Sequence, residues 1–427
     1  MAYKTATVSP GELAFGDSFL LNSVDGPIQR TDYIPKPITG NFGVVYRVAN
    51  DYVYFNTMNR EGKSEGNAFF RTGHIKKLNK LTGSIKNKFK ALIVQEELKN
   101  SFYNLSRITL NTGNDPEIFV VDENNQMIPA FLFLSEKKDV TEIYQRAYID
   151  GFQAEFRTKP QKCHAWAVDQ IQYGLKAVLS AAKTFNPKAK LSLQNVFEMK
   201  EPQLVTAPYK HVELGCMPSK NVYNDSGAKV TDPYKLMYRF AGGHIHFEFF
   251  SRDRNIGNII RALDAISGVA GVCLASNIDN PIRRKYYGLA GEYRTPPYGI
   301  EYRVLSNYWL CHPAIANLTL DLAREAVSLG ASQYLSILSG SEEEVREIIN
   351  TCNVKKATKF ISKNEGVFKA LLKRYYSHDD LVEKAFNCIL NGVESVIKDP
   401  TDFVNNWNLD GVWRDHAEGP NCFFSRV

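Results

Sequence analysis

Along Ala241–Phe250, polar and apolar side chains alternate with the two-residue period of a β-strand. His244, His246 and Glu248 share one face there, and Ile245, Phe247 and Phe249 share the other. Two glycines ahead of them leave room for something to approach the backbone closely. The pattern recurs at three other places. In the stretch 115–121, Asp115 and Glu117 oppose Ile118 and Val120, and the turn Asp122–Asn125 ends the strand. Pro116 predicts an edge position or a strand start. After Asp150-Gly151, the residues Gln153, Glu155 and Arg157 share a face. In Gly299–Leu305, Glu301 and Arg303 do the same. Four predicted strands thus carry ligand-type side chains on one face and apolar ones on the other.

Helical spacing predicts three helices behind these strands. Val168, Ile171, Leu175, Val178 and Ala182 mark the first, and Ile259, Leu263, Ile266, Ala270 and Leu274 the second. Ile315, Leu318 and Leu322 begin the third. His211–Met217 predicts a short strand leading to a site loop. The remainder is mostly helical, with a capping box at Ser341–Glu344, a weaker cap at Ser377–Asp380, and Pro400 ending a helix that runs through Val393 and Ile397. The first 82 residues differ in texture. Strands at Phe19, Val44–Val48, Tyr52–Phe55 and Phe69-Phe70, joined by tight turns, predict a small SH3-like β-barrel domain. The expected organisation is a β domain at 1–82, a basic linker at 83–107, a catalytic core at 108–335 and a helical part at 336–427 packed on the core.

Composition adds little: 44% hydrophobic and 23% charged residues describe a chain able to bury a large core. The net charge of +6 is mild. The lysine-rich stretch 71–90 would suit an acidic polymer such as nucleic acid, or simply a solvated linker. Seven scattered cysteines without a CxxC pair predict reduced thiols in a cytosol. The N-terminus lacks a hydrophobic signal region. Apolar runs fall short of the roughly 20 residues of a membrane span. A cytoplasmic protein without membrane partners is expected.

Taken singly, each polar pair has a bland explanation: a surface ion pair for Glu155/Arg157 or Glu301/Arg303, a structural pair for His244/His246, a solvated edge for Asp115/Glu117. Together they make a polar floor on which clustered carboxylates repel unless a cation neutralises them. Carboxylates with one or two imidazoles suit Mg²⁺ or Mn²⁺. Zinc through His244 and His246 would need a third His or Cys that no spacing supplies. Arg283, Arg284, Arg294 and Arg303 add guanidinium forks that match phosphate and carboxylate. Metal and arginines around a cleft serve phosphoryl transfer, although nothing reads GxxxxGK[ST].

Four stretches, Gly113–Phe119, Asp150–Arg157, Gly242–Phe247 and Tyr287–Arg303, resemble the phage-type carboxylate-amine (COOH–NH₂) ligases of the glutamine synthetase and γ-glutamylcysteine synthetase superfamily. The resemblance covers residues 108 to about 330. It implies an α+β fold: a curved, mainly antiparallel sheet with helices on its convex face and ATP and divalent cations on the concave one. It implies an amide bond made through an acyl phosphate from amine and carboxylate substrates, a peptide or macromolecule among the candidates. By motif, Asp115, Glu117, Glu155, His244 and Glu301 resemble the metal ligands. His246 would lie near the nucleotide; Arg283 and Arg284, close in sequence to Arg294 and Arg303 but outside the matched motifs, are further candidates to bind it. Arg303 would hold phosphate, and Arg294 the transferred phosphate or the substrate carboxylate. Glu213 and Glu248 are further acids without an assigned role. The Asp-Pro-Glu of the first strand departs from the synthetases' Glu-x-Glu. Two alternatives stand beside the ligase: a phosphotransferase of the same fold, and a non-enzymatic nucleic-acid or virion binding protein using the basic N-terminal region.

Overall fold

The computed structural model describes residues 5–13, 17–30, 42–49, 51–59, 64–82, 110–136, 147–162, 164–212, 219–226, 232–248, 256–331, 338–376 and 378–411. The chain divides into two compact units. One comprises Met1–Phe102, Gln333–Ser339 and Lys363–Leu371; the other comprises Tyr103–Ser332, Gly340–Ser362 and Leu372–Val427. The boundary expected between 82 and 110 lies outside the described residues, as do Glu213, Ser377 and the 83–90 part of the basic stretch.

In the first unit seven strands form one antiparallel sheet: β1 (Thr5–Val8), β2 (Ser18–Leu20), β3 (Gln29–Arg30), β4 (Phe42–Ala49), β5 (Tyr52–Met58), β6 (Ser64–Arg71) and β7 (Leu78–Leu81). The order is β1-β7-β2-β4-β5-β6-β3. The β4–β5 hairpin forms as the alternation predicts, with Val48 opposite Val53. Among the described residues no pairing joins β1 to β3, so the expected barrel is an open sheet. Short strands with tight turns suit an open meander as well as a closed one. Phe19, Phe55 and Phe70 meet edge-on in its core, the Phe19 centroid 5.0 Å from Phe55 and 5.9 Å from Phe70. Gly43 is required there, because a Cβ would lie 2.3 Å from the Phe19 ring.

The second unit is mixed α+β and contains the four predicted polar strands. They are β8 (Asn111–Val121), β10 (Gln153–Phe156), β15 (Gly243–Glu248) and β17 (Gly299–Tyr302). Also present are β9 (Ala147–Asp150), β11 (Lys190–Ser192), β12 (Val196–Glu198), β13 (Lys220–Asn221), β14 (Tyr238–Phe240) and β16 (Glu292–Arg294). The sheet order is β13-β16-β17-β15-β8-β10-β9, with β11 joined to β8, and every pairing is antiparallel. β12 and β14 pair apart from it. Pro116 is therefore not at an edge. It sits where pairing to β15 ends, opposite Gly243, and pairing to β10 begins, at Glu117. That hand-over tolerates a residue without an N–H.

Helices cover the apolar face. The helix His164–Phe185 lies so close to β10 that a Cβ on Gly174 would come 2.1 Å from the Phe156 ring. The predicted second helix runs from Ile256 to Leu274, with a π-helical turn at Asp264–Gly268. This turn carries the buried Asp264, whose Oδ1 accepts a 2.7 Å hydrogen bond from Tyr302 of β17. The 19-residue helix is long and apolar enough to cross a membrane by composition alone, which corrects the expectation that no apolar run approaches a span. In the fold it is a core helix, 78% of it buried. The helix Pro313–Ala331 packs beside it, its Gly330 against Ile259.

Two local expectations are corrected and a third is met. Tyr209–Val212 is a helical turn rather than the start of a strand, and Pro208 precedes it. Pro favours a helix start. The helix Asp379–Asn391 stops at Gly392, whose φ of 83° breaks the helical path before Val393; Pro400 has no part in ending it. The Ser341 cap forms, its Oγ accepting from the Glu344 amide at 3.1 Å.

Candidate functional site

The pairing register places the polar residues side by side. His244 lies opposite Asp115, and His246 opposite Glu301. Glu117 lies opposite Glu155, Glu155 opposite Tyr148, and Arg294 opposite Glu301. Directly opposed residues of an antiparallel pair point to the same face. Asp115, Glu117, Glu155, His244, His246, Arg294 and Glu301 therefore occupy one face, and Arg303 continues the row two residues beyond Glu301.

On the β8–β10 side, oxygens of Glu117, Asp150 and Glu155 all lie within 4.8 Å of one another. Glu117 and Glu155 are buried, and such opposed carboxylates destabilise a sheet unless something neutralises them. Burial, followed by the charge of Asp150, pushes Glu117 up to about 8. Burial and then Asp115 raise Asp150. Glu155 is raised well above the usual range by burial, with Asp115 and Asp150 adding to it. The Glu117 carboxylate also accepts from the Gly242 amide at 2.6 Å, and Tyr148 donates to Glu155. Arg157 contributes its guanidinium, Nε lying 3.4 Å from Glu155 and 3.8 Å from Asp115.

The β15–β17 side is mixed in charge. Asp115 Oδ1 lies 2.8 Å from His246 Nε2 and 3.4 Å from His244 Nδ1. Burial would raise Asp115, but the two histidines outweigh it and hold the carboxyl well below its ordinary value. Burial, then the Arg303 charge, lowers His244 to about 4, so its ring is neutral near pH 7. Tyr287 meets its Nε2. Burial opposes protonation of His246, yet Asp115 raises its pKa. The Tyr298 hydroxyl reaches His246 Nδ1 at 2.7 Å. Glu301 is paired with Arg303, lies 3.6 Å from Arg294 Nη1 and 3.8 Å from His244 Nδ1. Burial pushes it up, and His244 and Arg303 bring it below its ordinary value despite nearby Asp115.

The donor set fits a divalent cation. Three mutually close carboxylates with raised pKa values, flanked by a neutral imidazole and two more acids, are hard oxygen-rich ligands whose protons a cation would replace. Asp150 is the member that pattern reading missed. It ends β9, a strand without a hydrophobic signal, and the only hint was its place before Gly151, whose φ is 65°. Tyr148 was missed for the same reason.

Other expected residues have different surroundings. Arg283 is fully buried, and its guanidinium donates to the carbonyls of Val304 and Leu305, each at 3.0 Å. Arg284 donates to Val304 O at 2.7 Å. Backbone carbonyls take up these donors, which gives both arginines a packing role at the end of β17. Glu248 accepts from Asn111 at 2.6 Å at the far end of β15. The glycines before His244 do admit a close approach, but of the chain itself: a Cβ on Gly242 would lie 2.6 Å from His244 Nε2, and one on Gly243 2.3 Å from Trp309.

Residues 211–409 match the family described as phage phiEco32-like COOH.NH2 ligase, type 2. The match bears out, over that stretch, the resemblance carried by the sequence motifs. It includes β15 to β17 with His244, Arg294, Glu301 and Arg303, whereas β8 to β10 precede it. No curated protein matches the sequence. Among solved structures, similarity extends to a bifunctional glutathione synthetase from Pasteurella multocida, at 11% identity and a TM-score of 0.36 over 73% of this chain. The chain spans 52% of that protein's length. A ligand-free GmaS is similar at 12% identity and a TM-score of 0.35, over 76% of this chain and 79% of that one. A glutamine synthase homologue is similar at 10% identity and a TM-score of 0.34, over 90% and 91%.

Proposed function

We propose that this protein is an ATP- and Mg²⁺- or Mn²⁺-dependent carboxylate-amine ligase. The observation that carries the reading is the single sheet face on which Glu117, Asp150 and Glu155 crowd together beside Asp115, His244, Glu301 and the guanidinium groups of Arg157, Arg294 and Arg303. The ligase-family match across one half of that face supports it.

Glu117, Asp150 and Glu155 would hold one cation, and Asp115, His244 and Glu301 form a second group of donors next to it. Bound ATP would supply activation of a carboxylate as its acyl phosphate with release of ADP, and an amine attacking the acyl carbon would displace phosphate to give the amide. Arg294, like Arg157, is a partly exposed guanidinium of the face, suited to a phosphate or carboxylate oxygen. Arg303 is buried behind Glu301 and fixes where that carboxylate points. His246, held between Asp115 at Nε2 and Tyr298 at Nδ1, fixes where the Asp115 carboxylate points.

The test is ADP release with Mn²⁺ and ATP across a panel of carboxylates, with hydroxylamine as the amine. ADP and hydroxamate should appear in equal amounts and vanish in Glu301→Gln. Phosphorylated acceptor that accumulates without amine would indicate a phosphotransferase. Failure of Mn²⁺ and ATP to bind would end the proposal.

A further inference from the structure

The N-terminal sheet has a second face that the ligase reading leaves unused. β5 and β6 turn Val53, Phe55, Ala68 and Phe70 into the core. The alternate residues Tyr52, Tyr54, Phe69 and Arg71 share the other side, Tyr52 opposite Arg71 and Tyr54 opposite Phe69. The three rings form a continuous platform: Tyr54 to Phe69 is 5.6 Å, Tyr52 to Phe69 5.9 Å and Tyr52 to Tyr54 6.3 Å between centroids. Tyr52 is 36% exposed. A cross-strand aromatic pair can exist merely to stabilise a hairpin. The charge of the segment adds to it. Residues 1–102 hold 14 Lys and Arg against 9 Asp and Glu, so +5 of the chain's +6 belongs to this segment. Arg71, at the edge of the platform, has half of its side chain exposed beside Asp51. The exposed His74, Lys76 and Lys77 follow directly. The Asp25 carboxylate accepts from the Lys76 and Lys77 amides at 2.9 and 3.4 Å, which fixes their backbone while both side chains stay in solvent.

We infer that this face binds single-stranded nucleic acid. Unpaired bases stack on aromatic rings whatever their identity, and phosphates would meet Arg71 and the exposed lysines that follow it in the chain. A proline-rich peptide would use the rings and gain nothing from the charge. A polyanion without bases would use the charge and gain nothing from the rings. In a duplex the bases are stacked away from both.

The test is fluorescence anisotropy of a short labelled oligo-dT with the full chain, in chelator and without ATP, so that the outcome is independent of the ligase site. Binding should weaken with salt, log K falling by about 0.7 per tenfold salt for each phosphate contact. Tyr52→Ala should weaken binding at least about fivefold, Tyr52→Phe should restore it, and Arg71→Gln should flatten the salt dependence. Because Phe69 also packs within the sheet, Tyr52→Ala with an unchanged melting temperature is the deciding variant. Undiminished affinity in that variant, equal binding of polyphosphate or duplex, or displacement by a proline-rich peptide would each overturn the inference.

Discussion

On the β8–β10 side, Glu117, Asp150 and Glu155 gather, with Arg157 as the ion-pair cation of Glu155. On the β15–β17 side, Glu301 lies among His244, Arg294 and Arg303. Both groups are carboxylates on one sheet face, buried except for the half-buried Asp150, yet their pKa values move in opposite directions. The first side retains protons or takes up a cation. The second is ionised and neutralised by the chain's own residues. The difference teaches that burial alone does not make a metal site. It would favour one where the protein leaves carboxylates without enough positive charge beside them.

The largest effect should come from breaking the balanced side. Arg303→Ala leaves Glu301 buried without its closest cation and should destabilise the protein by about 3–5 kcal/mol in urea denaturation. A change below about 1 kcal/mol would deny the pair its role. The opposite sign is expected on the acidic side. Glu155→Gln replaces a carboxyl that burial keeps protonated without metal by a neutral isostere, so the metal-free protein should melt at the same temperature or higher, while Mn²⁺ affinity by calorimetry drops at least about tenfold. Undiminished Mn²⁺ affinity would remove Glu155 from the ligand set.

A pH series sharpens the same contrast. The folded metal-free protein keeps the Glu117 proton to about pH 8, whereas the unfolded chain releases it near the ordinary value of 4.5. Folding therefore takes up a proton across that window, and stability should fall as pH rises through it. Saturating Mn²⁺ should abolish the decline, and Glu117→Gln should reduce it without metal. A decline that persists in Glu117→Gln at full size would place its origin elsewhere, Asp264 being one source, since burial raises it to about 7. The smallest effect belongs to Glu248→Gln, which changes only a hydrogen bond to Asn111. Turnover and Mn²⁺ affinity should match the parent within twofold, and stability within about 0.5 kcal/mol.

Much of the site was legible along the chain because the period of a strand assigns each residue to a face. Asp115, Glu117, Glu155, His244, His246, Glu301 and Arg303 all follow from alternation, and the register brings their strands together. Asp150 and Tyr148 were not legible. β9 is four residues long and partly buried, so its polar positions resemble those of a loop. Arg283 and Arg284 show what a run of arginines near a candidate site leaves undecided: the fold turns both guanidinium groups onto backbone carbonyls. The π-helical turn at Asp264 has no signal in a helical pattern, and its hydrogen bond to Tyr302 exists only once β17 lies beneath it.

What the sequence by itself determined is which side chains share a face, because that depends only on local backbone geometry. Which faces meet, and therefore which charges must be balanced, depends on strand order. Glu117 and Glu155 are 38 residues apart, and neither is unusual alone. Their opposition across an antiparallel pair, away from water and within reach of Asp150, belongs to the tertiary structure, because electrostatic repulsion acts through space and strengthens as solvent is excluded.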